Sequence, residues 1–318
     1  MLTVILITVA VSLFICFQAV KAEAYARYVG IKNVSSEMVS KVIRGIEINA
    51  NNIFEEVQEH LDTPEEVIAA LRSKVHFNLD VKGYFAAFAP NFFPEQGKWF
   101  EPYIYQPDVV GFEYRQVGSE AHDYTQSPWY VRAEKAQESF WSEPYYYDDG
   151  TNMSGHYCTF VKPIYDKKGE LACVCGADIT FEWLAKELGW ADDISKVNHM
   201  QNKYHPLTSI DFYTVILNSD GTCVAHPEDK TVSIEDEGML RDLSLKKSGT
   251  IDMDVNGVSC TVYYGPVEYI NWAVAVVVPK ADILKPMFPL ALILLVTAAV
   301  GILIVRKVCR RLETPDVS

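Results

Sequence analysis

The sequence is short of positive charge and lacks the motifs of nucleotide-handling or hydrolytic enzymes. Its 318 residues carry 28 Lys and Arg against 42 Asp and Glu, a net of −14 at pH 7, with a pI near 5.0. That balance leaves no basic face and excludes a general nucleic-acid binder. There is no Gly-rich phosphate loop, no His-Glu-x-x-His and no Gly-x-Ser-x-Gly. The seven histidines are scattered, and the six-residue gap between His199 and His205 is not a helical ligand spacing. No enzyme, cofactor or metal site is expected. The charged share, 22 %, and the aromatic share, 12 %, also exclude a disordered acidic tail.

Cysteine is too sparse to supply a disulfide framework. Cys16 and Cys309 fall in or beside apolar terminal runs, leaving Cys158, Cys173, Cys175, Cys223 and Cys260. An odd number leaves at least one free thiol in a monomer. Cys173 and Cys175 stand two apart in a strand-like stretch, so both point to one face; buried core residues are the expected reading, with a metal pair as the alternative.

Apolar residues are concentrated at the two ends, which explains a mean hydropathy of +0.02 in so acidic a chain. Residues 1–20 hold no charged side chain, and Met287–Val305 is a second uncharged run. The last thirteen residues carry a net of +2, so −16 falls on residues 21–305. The second run makes ~28 Å of helix, enough to cross a bilayer. Arg306, Lys307, Arg310 and Arg311 follow at once, which orients the C-terminus to the cytoplasm. The first run ends in Val20-Lys21-Ala22, like a signal cleavage site, but it lacks a basic start and is longer than a signal core. An uncleaved anchor is preferred over a signal peptide. The expected location is the inner (plasma) membrane, with two passes, the acidic middle outside and a short cytoplasmic tail.

Between these ends the pattern is α+β. Val39, Val42, Ile43, Ile46, Ile53, Phe54 and Val57 recur mostly at three- and four-residue spacing, so a helix over 21–61 should continue the first apolar run as one rod. Thr63-Pro64-Glu65-Glu66 starts a second helix, to about Lys74. Strands are expected at Val81–Ala89, Trp99–Gln106, Val109–Val117, Phe140–Tyr147, His156–Tyr165 and Leu171–Asp178, with helices at Pro128–Gln137 and Phe181–Leu188. The polar stretch Asp192–His205 reads as a domain junction. A smaller set follows: Phe212–Leu217, Thr222–His226, Thr250–Val255, Val258–Tyr264 and Asn271–Val278. Asp252-x-Asp254-x-Asn256-Gly257 begins like a calcium loop, but its twelfth position is Tyr263, so the Asn-Gly hairpin reading wins. The acidic run Glu235-Asp236-Glu237 reads as solvated surface. The repeated order of helix, strands and hairpin suggests two related α+β modules in tandem.

The chemically richest stretch is Tyr124–Asp178. Trp129-Tyr130 and Phe140-Trp141-Ser142-Glu143-Pro144-Tyr145-Tyr146-Tyr147-Asp148-Asp149 place aromatic rings beside carboxylates. Ring faces attract a cation, at ~0.5–2 kcal/mol per contact, and a buried carboxylate fixes an ammonium by charge-assisted hydrogen bonds. The plainer alternatives are that the rings are strand core, that Asp148-Asp149-Gly150 is a solvated turn and that Asp178 caps a helix.

These residues resemble the double Cache sensor domains of bacterial membrane receptors. The resemblance rests on Asp123-Tyr124-x-x-x-Pro128-Trp129-Tyr130, Trp141-Ser142-Glu143-Pro144-Tyr145, Gly176-Ala177-Asp178-Ile179, Asp220-Gly221 through His226-Pro227, and Gly265-Pro266-Val267 through Trp272 to Pro279. It implies a long N-terminal helix carrying two tandem PAS-like modules between two membrane helices. The expected layout is an anchor at 1–20, helices at 21–80, a membrane-distal module at 81–190, a proximal one at 191–285, a membrane helix at 286–305 and a basic tail at 306–318. Ligand would bind the distal module, and the Trp-Ser-Glu-Pro-Tyr-Tyr segment is most similar to receptors that feed PP2C-type phosphatases or histidine kinases. By the resemblance Asp178 matches the amine-binding aspartate, and Trp129, Tyr130 and Tyr145 match pocket aromatics, with Tyr124 beside them. The Arg that holds a ligand carboxylate in amino-acid-binding members is replaced by Ser127, and Arg132 is the candidate substitute. An amine-containing ligand is therefore favoured. The alternative is a degenerate, non-binding sensor that scaffolds another receptor. A tail of Arg306–Ser318 leaves no room for an output domain, so the expected route is a homodimer or a partner receptor that carries one.

Overall fold

The computed structural model describes residues 2–107, 111–148, 153–200, 211–227, 232, 234 and 236–313. Asp149, Gly150, His205 and Glu235, and the side chains of His199, Cys309, Arg310 and Arg311, lie outside the described residues.

The protein is built on one helix. The uncharged first run and the three- and four-residue spacing beyond it form a single α1, Leu2–Glu59. Thr63 caps α2 (Pro64–Arg72), its hydroxyl accepting from the Glu66 N–H at 3.3 Å. Strands β1 (Gly83–Phe88), β2 (Pro102–Tyr105), β3 (Glu113–Gln116), β4 (Phe140–Trp141), β5 (Tyr145–Tyr147), β6 (Gly155–Tyr165) and β7 (Leu171–Thr180) make one antiparallel sheet in the order β3-β2-β1-β7-β6-β4, with β5 also on β6. The expected strand Phe140–Tyr147 is two pieces, because Ser142-Glu143-Pro144 interrupts the ladder and Pro144 has no N–H to donate. Helix α3 (Pro128–Ala136) lies on this sheet, and α4 (Phe181–Met200) leaves it.

The stretch expected as a domain junction, Asp192–His205, begins inside a helix, and its residues 201–205 lie outside the described ones. Helix α4 runs on to Met200, and Asp192 is buried, accepting the Thr214 N–H at 2.7 Å and its hydroxyl at 2.6 Å. Burial pushes the Asp192 carboxyl up to about 6. The second sheet, in the order β10-β11-β12-β8-β9, comprises β8 (Tyr213–Leu217), β9 (Cys223–Ala225), β10 (Gly249–Val255), β11 (Val258–Pro266) and β12 (Ala273–Pro279). Asn256 and Gly257 turn its hairpin at positive φ, 52° and 80°. The acidic run before it is more than surface: Asp236 caps α5 (Glu237–Ser244) by accepting the Met239 N–H at 2.8 Å. Helices α6 (Lys280–Leu284) and α7 (Met287–Glu313) close the chain.

Both sheets lay one face against α1. Val39, Ile43, Ile46, Ile53, Phe54 and Val57 meet Tyr84, Ala86 and Phe88 of β1, Phe160 of β6 and Cys173, Cys175 and Ala177 of β7, all buried. Nearer its start, Ala24 and Tyr28 meet Phe212, Tyr263, Val276 and Val278 of the second sheet. The first part of α1 packs beside α7, and these two helices are long and apolar enough to cross a membrane by length and composition.

Candidate ligand-binding site

Period-2 alternation decides what the first sheet offers on its other face. On β7, Cys173, Cys175 and Ala177 face α1, so Val174, Gly176 and Asp178 face away. Phe85 on β1, Tyr103 on β2 and Tyr157 and Thr159 on β6 share that outer face. Trp129, from the first turn of α3, and Tyr145 and Tyr147 of β5 complete an aromatic wall. The result is a narrow cleft of about 50 Å³, lined by Phe85, Glu101, Tyr103, Trp129, Tyr145 and Asp178 among others.

Asp178 stands at the closed end, 7 % exposed. Oδ1 accepts the Thr159 hydroxyl at 2.6 Å and the Tyr145 hydroxyl at 3.4 Å; Oδ2 accepts the Tyr103 hydroxyl at 3.1 Å. Burial pushes the carboxyl up to about 7, the hydroxyl donors oppose that rise, and the nearby Glu101 charge adds to it. Asp178 is therefore no helix cap. Glycine makes room for this arrangement: a Cβ on Gly83 would strike the Tyr103 hydroxyl, and one on Gly176 would strike the Phe85 ring and Thr159.

Of the other expected site residues, Trp129 and Tyr145 line the cleft with Asp178, while Tyr124, Tyr130 and Arg132 do not. The Tyr124 hydroxyl donates to the backbone oxygen of Phe88 at 2.7 Å, which pins the short turn ahead of α3 to the sheet. Tyr130 is buried beneath α3 against Tyr124. The Arg132 guanidinium lies 3.9 Å from the Phe140 ring centroid, on an outer groove that also holds Ser127. Sequence reasoning missed Phe85, Glu101, Tyr103, His122 and Tyr157. The alternation of Glu101, Tyr103 and Tyr105 was the available signal.

Cys173 and Cys175 do come together, Sγ to Sγ 3.8 Å, but within the apolar layer against α1 and away from the cleft. The Glu56, Glu59 and His60 side chains also lie near one another at the end of α1, where Lys74 already pairs with Glu56 at 2.6 Å.

Residues 67–186 match the family model described as the first PDC sensor domain of methyl-accepting chemotaxis protein-like receptors. This stretch is similar to Cache-type sensor domains. Solved structures extend the likeness over both sheets. The extracellular domain of the histidine-kinase candidate mmHK1S-Z3 is 19 % identical and superposes with a TM-score of 0.63, covering 83 % of this chain and 97 % of that one. For the periplasmic sensory domain of the Campylobacter jejuni chemoreceptor Tlp1 the identity is 16 %, the TM-score 0.60 and the coverage 81 % and 95 %. For the ligand-binding domain of the Pseudomonas fluorescens chemoreceptor CtaA, solved with L-isoleucine, the values are 18 %, 0.57, 84 % and 97 %. At such identities these likenesses establish the fold. No curated protein sequence matches. The cleft lies between the sheet and α3, and no Lys or Arg lines it among the described residues.

Proposed function

We propose that the chain is a transmembrane receptor whose extracytoplasmic sensor binds a small amine in the cleft of the first sheet. One observation carries this reading: Asp178 is a buried carboxylate walled by Phe85, Tyr103, Trp129 and Tyr145. An ammonium there gains a charge-assisted hydrogen bond and ring-face attraction together. The lack of a lining Lys or Arg among the described residues, and the place of Arg132 outside the cleft, argue against a ligand held by its carboxylate. The first sheet, with residues 81–190, would be the membrane-distal module, and the second, with residues 191–285, the proximal one. Helices α1 and α7 would cross the bilayer and carry the response to a second copy or a partner receptor. Such coupling requires that the amine bind one of two conformations better than the other.

The test is thermal melting of the full chain in detergent micelles against panels of amines, amino acids, carboxylates and purines. Primary amines should raise Tm in the wild type and not in Asp178→Asn. A response confined to carboxylates, or an amine response unchanged in Asp178→Asn, would overturn the site. Silence to every compound would leave the scaffold reading instead.

A further inference from the structure

The cleft holds a second carboxylate that amine binding at Asp178 does not use. Glu101 precedes β2 and shares the outer face with Tyr103, two residues on, whose hydroxyl bonds Asp178. It is 3 % exposed, yet its Oε2 is buried with no hydrogen bond. The His122 Nε2 stands 3.4 Å from that oxygen without the alignment of a hydrogen bond. A buried, unsatisfied carboxylate oxygen is costly, and a ligand donor is the simplest group to satisfy it.

We propose that Glu101 is a second anionic subsite of the same cleft, and that the preferred ligand is a diamine with one ammonium on Asp178 and the other on Glu101. This rests on the amine reading above and narrows it. The aromatic rings that line the same cleft as the two carboxylates, Phe85, Trp129 and Tyr147, suit the apolar chain that separates the two cations. No lining Lys or Arg among the described residues balances the two carboxylates, and His122, 3.4 Å from Glu101, does so only when protonated. Burial raises the Glu101 carboxyl as it does that of Asp178; His122 opposes the rise at Glu101, and the Glu101 charge adds to the rise at Asp178.

The experiment is isothermal titration of the full chain in detergent micelles with 1,4-diaminobutane, 1-aminobutane, 4-amino-1-butanol and 4-aminobutanoate. The diamine should bind ~10-fold or more tighter than the monoamine, the expected scale for one added charge-assisted hydrogen bond. Glu101→Gln should abolish the diamine preference, the ratio of diamine to monoamine affinity in the variant falling to about 1. Glu101→Asp, which keeps the charge but withdraws it, should move the optimum in a series of diamines to a longer chain. Equal affinity for diamine and monoamine, or a diamine preference that survives Glu101→Gln, overturns the second subsite while leaving the amine reading intact. An amino alcohol that binds as well as the diamine shows a neutral donor at Glu101 and overturns the dication. No binding of any amine removes the reading beneath it.

Discussion

Two antiparallel sheets rest on the same helix, and they treat the faces turned away from it in opposite ways. On the second sheet that face is aliphatic and closed. Val215, Leu217, Val262, Ala275 and Val277 are buried under Met239 of α5, with Val232 and Ile234 beside them. A buried ring there, Tyr264, is tied off by donating to Asp242 Oδ2 at 3.0 Å. On the first sheet the same face carries Phe85, Tyr103 and Tyr157 under Trp129 of α3, around a buried carboxylate. Branched aliphatic side chains interdigitate to crystal-like density, whereas rigid rings around a polar group leave a gap. A sheet that must bind a small molecule keeps the second arrangement, and a sheet that must only hold together keeps the first.

Asp178→Asn separates the two faces most sharply. It should cost at least ~30-fold in amine affinity, since a buried charge partner is worth ~2 kcal/mol or more. It should also stabilise the protein without ligand at alkaline pH. Asp178 titrates near 7 in the folded chain against an ordinary 3.8, so the folded state holds a proton that the unfolded chain releases between those values. Its contribution is full below the lower value and lost as pH rises through about 7, with ~4 kcal/mol as the upper bound. The Tm difference between wild type and variant should therefore grow from pH 4 to pH 7 and then level off. Amine affinity should climb over the same range as the carboxylate ionises. A pH-independent difference would show that Asp178 is already ionised in the empty cleft.

Leu217→Ala probes the closed face. It should cost ~3 kcal/mol of stability, from lost transfer energy and the cavity left behind, read as a lower denaturation midpoint. Amine affinity per folded molecule should stay unchanged, because Leu217 touches only the second sheet's layer. Gly176→Ala does the converse on the open face. Its new methyl meets the Phe85 ring and Thr159, so ~1–3 kcal/mol of stability should go in overpacking. Phe85 should also be displaced into the cleft and weaken amine binding. If both variants lose affinity equally, the two faces are one coupled unit and the contrast fails.

Much of this layout was legible beforehand. An uncharged run followed by three- and four-residue spacing announces α1, and Thr63-Pro64 announces α2, because both are local signals read within one or two turns. The alternation of Cys173, Cys175 and Asp178 already puts the thiols and the carboxylate on opposite faces of β7. What escaped depends on pairing between distant strands. The approach of Tyr103 to Asp178 follows from β1 lying between β2 and β7, with Gly83 beneath the ring. The Trp141 indole, which donates to Glu47 Oε1 at 3.0 Å, is spoken for by α1 rather than by the cleft. Helix α5 escaped for another reason, since Gly238 in its first turn weakens the helical signal that Asp236 opens.

That helix supplies the smallest test. Helices α3 and α5 cover equivalent faces, but the start of α3 has no side-chain cap from Ser127, while α5 is held by Asp236. Asp236→Ala removes an acceptor for the Met239 N–H and should cost ~1 kcal/mol. Met239 is buried at the centre of the closed face, so the loss should appear as faster amide exchange along α5 and β11. It should leave amine affinity and exchange around Asp178 untouched. The uncapped start of α3 carries Trp129 into the cleft wall, and Ser127→Asp there should slow exchange in α3 by supplying the missing cap. Exchange slowed equally in both helices by either substitution would mean that the two faces open together, and that the closed sheet reports directly on the open one.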